Sequence, residues 1–237
     1  MSTQYKTRNT KRYLRQMLRE MRYLLTKDLK LELRKSHVLS GLALYILSTI
    51  YVCYLSFGTI SDLQTWNALI WIIVLFSAFN GLARTFDGET REQEIYFYTL
   101  TSPQGLLFSK IIFNIFMMLI MTVLAILIYS VMLGTADISL DALGQFGIGL
   151  ILGSCAFSTT LTLISGIAAK SNNNVGLMAL LGFPVIIPSL LILSDFSEKS
   201  LAGMSWSVNM QNLLFLIALN VAIAALSYIL FPYLWRD

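Results

Sequence analysis

Few residues of this chain are of the types that catalyse reactions or bind metals, and none is arranged for either task. The two cysteines, Cys53 and Cys155, lie within apolar stretches, where a buried thiol is the ordinary interpretation. The single histidine, His37, stands at the edge of another such stretch, where an interfacial role outweighs metal binding. The H-E-x-x-H, G-x-S-x-G and G-x-x-x-x-G-K-[ST] patterns are absent from the sequence. We therefore expect no metal, no cofactor and no catalytic residue in this chain, and no hydrolysis of nucleotide by it.

The connection from residue 87 to residue 103 is the one whose sequence predicts a structural element of its own. Asp87-Gly88 predicts a turn, and Thr90 followed by Gln93 has the form of a capping box. Glutamates suit the start of a helix electrostatically, and aromatic residues follow them. A short helix of this kind can press into a groove on another protein, although an extension of the preceding helix packed on its own bundle is the alternative. The candidate partner-coupling residues are Glu89, Glu92, Gln93, Glu94, Tyr96, Phe97, Tyr98 and Leu100.

Six apolar stretches, each about as long as a bilayer core requires, set the fold class. Hydrophobic residues make up 56% of the chain and charged residues only 13%, whereas about 25% of a soluble domain is charged. Because helices satisfy their own backbone in lipid, we predict an all-α integral membrane protein in which residues 38–237 form one six-helix domain behind a basic segment at 1–37. The predicted spans are Val38–Phe57, Trp66–Phe86, Leu106–Leu133, Leu143–Ala169, Val175–Ser194 and Leu213–Leu234.

The basic residues predict how these spans are oriented. Eleven of the 17 lysines and arginines precede the first span, and Arg84, Arg91, Lys110, Lys170 and Arg236 fall on the same side of the predicted membrane. One basic residue, at position 199, falls on the other side. The positive-inside rule therefore puts both termini in the cytoplasm. The length of the basic segment and of the first apolar stretch argues against a cleavable signal peptide.

The basic segment has the pattern of an amphipathic helix. Apolar residues recur at helical spacing from Leu14 to Leu25, and basic residues take the remaining positions. Such a helix can lie in the headgroup layer with its leucines buried and its cations paired with anionic lipid. A solvated tail that serves only as a topology signal is the alternative, and nucleic acid is disfavoured because the membrane is the nearer polyanion. The candidate membrane-surface residues are Arg12, Arg15, Arg19 and Arg22.

Small residues follow one side of the fourth predicted span. Small side chains let helices approach closely, and hydroxyl groups can bond across the contact. Packing inside one subunit is favoured over dimerisation. The candidate packing residues are the GxxxG pair Gly149 and Gly153, together with Ser154, Ser158, Thr162 and Gly166 at every fourth position of a neighbouring face.

The fifth predicted span contains Pro184 and Pro188, four residues apart. Each proline lacks a backbone donor, so the carbonyls of Leu180 and Pro184 lose their helical partners. We therefore expect a kink or break in this helix. A gate and a simple feature of bundle shape are equally compatible with such a kink.

The ordered set of these features resembles the CcmB family of haem exporters. The set comprises Leu31-Glu32-Leu33-Arg34 before the first span, Phe86-Asp87-Gly88 and Gln93-Glu94 after the second, Ser102-Pro103 and Ser109-Lys110 at the third, and Phe183-Pro184 with Pro188 in the fifth. The resemblance covers about residues 28–237. CcmB proteins are permease subunits of the ABC transporter used in system I cytochrome c maturation.

The resemblance implies an ABC-2-type permease that pairs with a second copy of itself and with two copies of a separate ABC ATPase subunit, which would bind ATP and Mg²⁺. It also implies a haem-handling membrane protein of the same pathway as a partner, and the inner membrane of a bacterium as the location. The segment 87–103 would then be the coupling helix and the basic segment an elbow helix. Haem would be handled by the complex, because the sequence offers no defensible haem site in this chain: Met117, Met118 and Met121 are interpreted as packing residues.

Two other functions stay open at this point. A permease of the same architecture could export a polysaccharide, a lipid or a drug. A membrane scaffold or an intramembrane enzyme is disfavoured because no predicted span carries a charged residue near its middle.

The charge asymmetry gives a testable topology. In a cysteine-free background, Asp62→Cys, Asp137→Cys and Ser200→Cys are expected to react with an impermeant maleimide added outside the cell, because these positions lie in the poorly basic connections. Glu92→Cys and Asn173→Cys are expected to stay unlabelled until the membrane is permeabilised. Labelling of Glu92→Cys in intact cells contradicts the six-span arrangement with both termini inside.

Overall fold

The structure, a computed structural model, describes residues 19–31, 36–82, 85, 103–134, 140–170 and 175–236. Seven α-helices occupy these ranges, and six of them are long and apolar enough to cross a membrane. The predicted all-α, six-span fold is thus confirmed over the described residues. The helices are α1 (19–31), α2 (Ser36–Phe57), α3 (Leu63–Leu82), α4 (Pro103–Leu133), α5 (Leu140–Lys170), α6 (Val175–Leu201) and α7 (Trp206–Arg236).

The bundle has two chemically different ends. One end holds α1, the start of α4 and the last turns of α5 and α7, and most basic residues of the chain are near it in sequence. We call this the basic end and the other the opposite end. Under the predicted topology the basic end faces the cytoplasm.

Helices α6 and α7 continue further towards the opposite end than the apolar pattern predicted. The predicted spans stopped at Ser194 and resumed at Leu213, whereas the helices end at Leu201 and restart at Trp206. The charged residues that end the apolar run, Asp195 and Lys199, lie within α6. Their side chains form an ion pair one helical turn apart, with Lys199 Nζ 2.6 Å from Asp195 Oδ2. Ser200 is consequently buried within a helix, so its choice as a labelling position was wrong, and the exposed Ser205 is the suitable replacement.

Short turns with capping bonds join α2 to α3 and α6 to α7 at the opposite end. After α6, Gly203 takes φ +73°, and two backbone bonds close a Schellman motif, from Gly203 N to Ser200 O (3.1 Å) and from Met204 N to Lys199 O (3.1 Å). Before α3, the carboxylate of Asp62 accepts bonds from the hydroxyl of Thr65 and from its amide (2.9 Å). These bonds hold the pKa of Asp62 below its usual range and fix the first turn of α3.

Helices α3 and α5 form the centre of the bundle, and α2 and α7 form its edge. In the apolar stretch of each span, 67% of the residues are buried in α5 and 56% in α3, against 11% in α2 and 17% in α7. Trp71 of α3 lies at the heart of the core, with its ring edge-to-face with Phe157 of α5 at 6.3 Å between centroids. The weakly buried helices therefore present apolar surface to the bilayer or to other subunits.

The glycine pair of α5 is the point of closest helix approach. A Cβ atom at Gly149 would come within 3.1 Å of the Phe196 ring of α6. A Cβ atom at Gly153 would lie 2.5 Å from Leu193 Cδ2 and 3.1 Å from the Trp71 ring. The pair thus packs against α6 and α3 of the same chain.

Buried amides and hydroxyls join α3 to α6 near the opposite end. Asn67 of α3 donates to Ser194 O of α6 (2.9 Å) and accepts a bond from the Ser197 hydroxyl (2.5 Å). The indole of Trp71 donates to that same hydroxyl at 2.7 Å. Because no water is available in a bilayer core, each of these polar groups needs a protein partner.

A second cluster, built on Asn209 of α7, extends this network. Its Nδ2 donates to Gln145 Oε1 of α5 (3.2 Å) and to Ser200 Oγ of α6 (2.9 Å). Gln145 in turn donates to the carbonyl of Met204 in the turn (3.0 Å). Together the two clusters join α3, α5, α6 and α7 by side-chain bonds.

Helix α6 passes through both prolines without a break. Residues Val175–Leu201 form one helix that contains Pro184 and Pro188, and both proline side chains are exposed. The expected break is therefore absent, while the kink and the gating role stay predictions. Next to Pro184, the Phe183 ring stacks on Phe79 of α3 at 4.8 Å, and the missing Cβ of Gly182 leaves room for the same Phe79 ring.

Substitution of the α5 glycines tests this packing. Gly153→Ala is expected to destabilise the purified protein by about 1–3 kcal/mol, because the added methyl overlaps Leu193 and Trp71. Gly147→Ala is the matched control on the same helix, since a Cβ atom there would have no other group within 4 Å, and it should be neutral or stabilising by about 0.5–1 kcal/mol. Thermal unfolding in detergent measures both. Equal effects of the two variants contradict the close-approach interpretation.

Candidate coupling site at the basic end of the bundle

Helix α1 is packed against two spans rather than lying free of the bundle. Leu24 is 6% exposed and belongs to a small apolar cluster with Leu106, Leu107 and Ile111 of α4 and Phe231 of α7. Arg19 and Arg22 are exposed. In the described part of the segment, the exposed arginines and the buried Leu24 thus lie on different sides of α1, and the bundle buries Leu24.

A buried ion pair fixes α1 to α4. Lys110 Nζ lies 3.3 Å from Asp28 Oδ2, and both residues are 8% exposed. Lys27 Nζ lies 3.6 Å from the other carboxylate oxygen of Asp28. A lysine in the second turn of an apolar helix requires such a counter-charge because an unpaired buried charge is costly.

A buried asparagine joins the end of α3 to α4 and α5. Asn114 of α4 is 2% exposed, and its Nδ2 donates to Thr85 Oγ1 at 3.1 Å and to Thr162 Oγ1 at 2.7 Å. Thr85 follows α3 and its own hydroxyl and amide bond back to Leu82 O at 2.7 Å and 3.2 Å. The last described residue before the candidate coupling segment is therefore held by the helix that follows the segment.

The hydroxyl face of α5 continues this contact with α4. Thr162 donates to the carbonyl of Ser158 (2.6 Å), and Ser158 donates to the carbonyl of Ile111 (3.4 Å). Further along, Ser154 Oγ lies 3.3 Å from Thr122 Oγ1. Helices α4 and α5 therefore share a row of polar contacts that begins at Asn114.

The structure describes some of the predicted site residues and not others. The partner-coupling residues between Glu89 and Leu100, and the membrane-surface residues Arg12 and Arg15, lie outside the described residues. The six packing residues of α5 are all buried, Gly149 and Gly153 towards α6 and α3, and Ser154, Ser158 and Thr162 towards α4. Gly166 is buried as well.

Sequence reasoning missed Asp28 and Asn114, and it used Lys110 only as a topology marker and as part of a family motif. A lysine inside the apolar run of α4 was a signal that a counter-charge must be near. Its partner could not be found by pattern, because Asp28 is 82 positions earlier in the chain. Asn114 is likewise the first amide within that apolar run, and a polar side chain in a span usually bonds to another helix.

The described residues contain no group of three His, Cys, Asp or Glu side chains that could hold a metal ion. Both cysteines are free and half-buried.

Six helices that are long and apolar enough to cross a membrane indicate a polytopic membrane protein. The chain belongs to the CcmB protein family, whose profile matches residues 19–233. Members of this family are the membrane component of the haem-export ABC transporter for cytochrome c maturation. This match confirms the resemblance inferred from the ordered motifs. No curated protein gives a significant match.

The ion pair can be tested by separating its two partners. Lys110→Met is expected to cost about 3 kcal/mol, because it leaves the Asp28 carboxylate buried with only the more distant Lys27. The double variant Asp28→Leu with Lys110→Met should recover most of that loss, since it removes both charges. Thermal unfolding and hydrogen exchange of residues 19–31 measure the effect.

Lys199→Met provides the control, since it breaks the exposed pair with Asp195 and should cost less than about 1 kcal/mol. If the double variant is as unstable as Lys110→Met alone, Lys110 does not stabilise the protein by pairing with Asp28.

Proposed function

We propose that this chain receives the movement of an ATPase subunit through the segment 87–103 and passes it to the membrane spans through the first three turns of α4. Family membership supplies the general role, a membrane component of the haem-export ABC transporter. The finer proposal concerns where the ATPase acts on it.

The observation that carries this proposal is that α4 holds both flanks of the segment. Pro103, the last residue of the segment, begins α4, and Asn114 of the same helix binds Thr85, two residues before the segment. A displacement of the segment therefore pulls on one helix from two points. The bond from Asn114 to Thr162 then extends the displacement to α5, the most deeply buried span.

The acidic and aromatic character of the segment supports a protein partner. Glu89, Glu92, Gln93 and Glu94 precede Tyr96, Phe97, Tyr98 and Leu100, so that an anionic start is joined to an apolar body suited to a groove. ATP and Mg²⁺ would bind the partner, because the sequence has no phosphate-binding loop. The chain itself would supply no catalytic group.

The complex we propose contains two copies of this permease and two ATPase subunits in the bacterial inner membrane, with both termini of the permease in the cytoplasm. The basic-residue asymmetry supports the orientation. The weak burial of α2 and α7 supports contact with further subunits, including a haem-handling membrane protein. Haem would be handled by that assembly. Pro184 and Pro188, on the exposed side of α6, are the candidate gate positions.

A deletion strain complemented with variants tests the proposal. The wild-type chain should restore covalently haem-stained c-type cytochromes, while b-type haem proteins stay unchanged throughout. Glu94→Arg combined with Tyr98→Ala should lose the ATPase subunit on purification, because the docking charge is reversed and an aromatic contact removed. Asn114→Leu should keep the ATPase but produce less cytochrome c for each ATP hydrolysed, because the link from Thr85 to Thr162 is lost.

Asn80→Leu is the matched control, since this exposed amide bonds to Phe76 O within its own helix. It should behave as wild type in both measurements. Normal assembly and coupling of the Glu94→Arg, Tyr98→Ala variant would show that the segment does not dock the ATPase. Normal c-type cytochromes in the deletion strain, with a defect in surface polysaccharide or drug resistance, would point to a different exported substrate.

A further inference from the structure

Helix α1 has two faces of opposite character. At 100° per residue, Arg19, Arg22, Tyr23, Thr26 and Lys30 fall within an arc of about 100°, and all five are exposed, Tyr23 to 76%. We call these five residues the basic stripe. The opposite face carries the buried Leu24 and Asp28, which contact α4 and α7.

The charge of the basic stripe is not cancelled from within the described part of the protein. Asp28 is turned inwards and paired with Lys110. Glu20, the other described acid of α1, falls outside the arc of the stripe and is half-buried. No described carboxylate forms an ion pair with any of the three cations of the stripe. The stripe therefore presents these cations together, and an anionic partner fits it.

The position of α1 decides what kind of anion this is. Leu24 contacts the first turns of α4 and the last turns of α7, so the helix lies where two spans leave the hydrocarbon at the basic end. Charged side chains are excluded from the hydrocarbon itself. At this depth the nearest anions are lipid phosphates, and an exposed tyrosine among cations is typical of the headgroup layer.

We propose that the basic stripe is a binding surface for anionic phospholipid headgroups in the leaflet at the basic end. Guanidinium groups of Arg19 and Arg22 would bind phosphate in a bidentate manner, Lys30 would add a point charge, and Tyr23 would insert between headgroups. The bundle, through Leu24 and the Asp28–Lys110 pair, sets which side of α1 faces the lipid. The surface thus binds charge without needing to bury its apolar side in the bilayer.

Nanodiscs of defined composition test this proposal with the full-length chain. Thr26→Cys, on the stripe, carries an environment-sensitive dye in a background where Cys53 and Cys155 are alanine. In phosphatidylcholine discs with increasing phosphatidylglycerol, the dye emission should shift to the blue, and high salt should reverse the shift. The variant Arg19→Gln, Arg22→Gln, Lys30→Gln should show almost no shift at any phosphatidylglycerol fraction, because affinity falls about fivefold for each charge removed, the factor that ~1 kcal/mol represents.

Two controls separate charge from structure. Arg19→Lys with Arg22→Lys keeps the charge and should retain most of the response. Lys199→Gln removes one charge at the opposite end of the bundle and should leave it unchanged, in contrast to Lys30→Gln. Thermal unfolding should be equal for all variants of the stripe, since Leu24, Asp28 and Lys110 are untouched.

Two outcomes would overturn the proposal. The first is a dye emission that ignores phosphatidylglycerol, or that responds equally in the triple glutamine variant. The second is a blue shift that appears only when the ATPase subunit is added, and is lost in the triple variant whatever the lipid, which would make the stripe a protein-docking surface instead.

Discussion

The close approach of α5 to its neighbours is the constraint on which the rest of the bundle depends. Two glycines bring one side of this helix against Leu193, Phe196 and Trp71, and no larger residue fits at Gly153 without a shift. The other side carries hydroxyl groups that bond to α4. In lipid there is little hydrophobic gain from burying leucine against leucine, so small residues and interhelical hydrogen bonds must hold the helices together. Helix α5 supplies both.

The other spans differ in the kind of contact that they make with α5. Helices α3, α4 and α6 contact it through glycine, aromatic or hydroxyl groups. Helix α2 makes fewer such contacts, and leucine, valine and tyrosine side chains cover its exposed side. A gradient from polar, specific contacts at the centre to apolar, unspecific surface at the edge is what a bilayer solvent favours.

The number and type of spans were predictable from sequence because each apolar run meets a length requirement that only helices satisfy in lipid. Helix ends were less predictable. Asp195 and Lys199 interrupt the apolar pattern, yet they pair one helical turn apart and α6 continues through them. Hydropathy reports where the hydrocarbon ends, which is a different boundary from the end of the helix. The Schellman turn at Gly203 marks the latter.

The candidate site was predictable only in part. The acidic and aromatic segment after α3 and the basic segment before α2 could be recognised from composition. The contacts of Asp28 with Lys110, and of Asn114 with Thr85 and Thr162, join positions far apart in the chain. A lone lysine or asparagine in an apolar run shows that a partner exists, but its identity depends on how the helices pack. The packing role of the small residues on α5 could be proposed, whereas its direction towards α6, α3 and α4 is set by the folded bundle.

The amide clusters around Asn67 and Asn209 have a mechanical consequence. They join α3, α5, α6 and α7 at the opposite end with side-chain bonds to both hydroxyl groups and backbone carbonyls. Rods that are tied together at one end move there as a single block. The four helices are therefore expected to turn together at the opposite end rather than slide past one another.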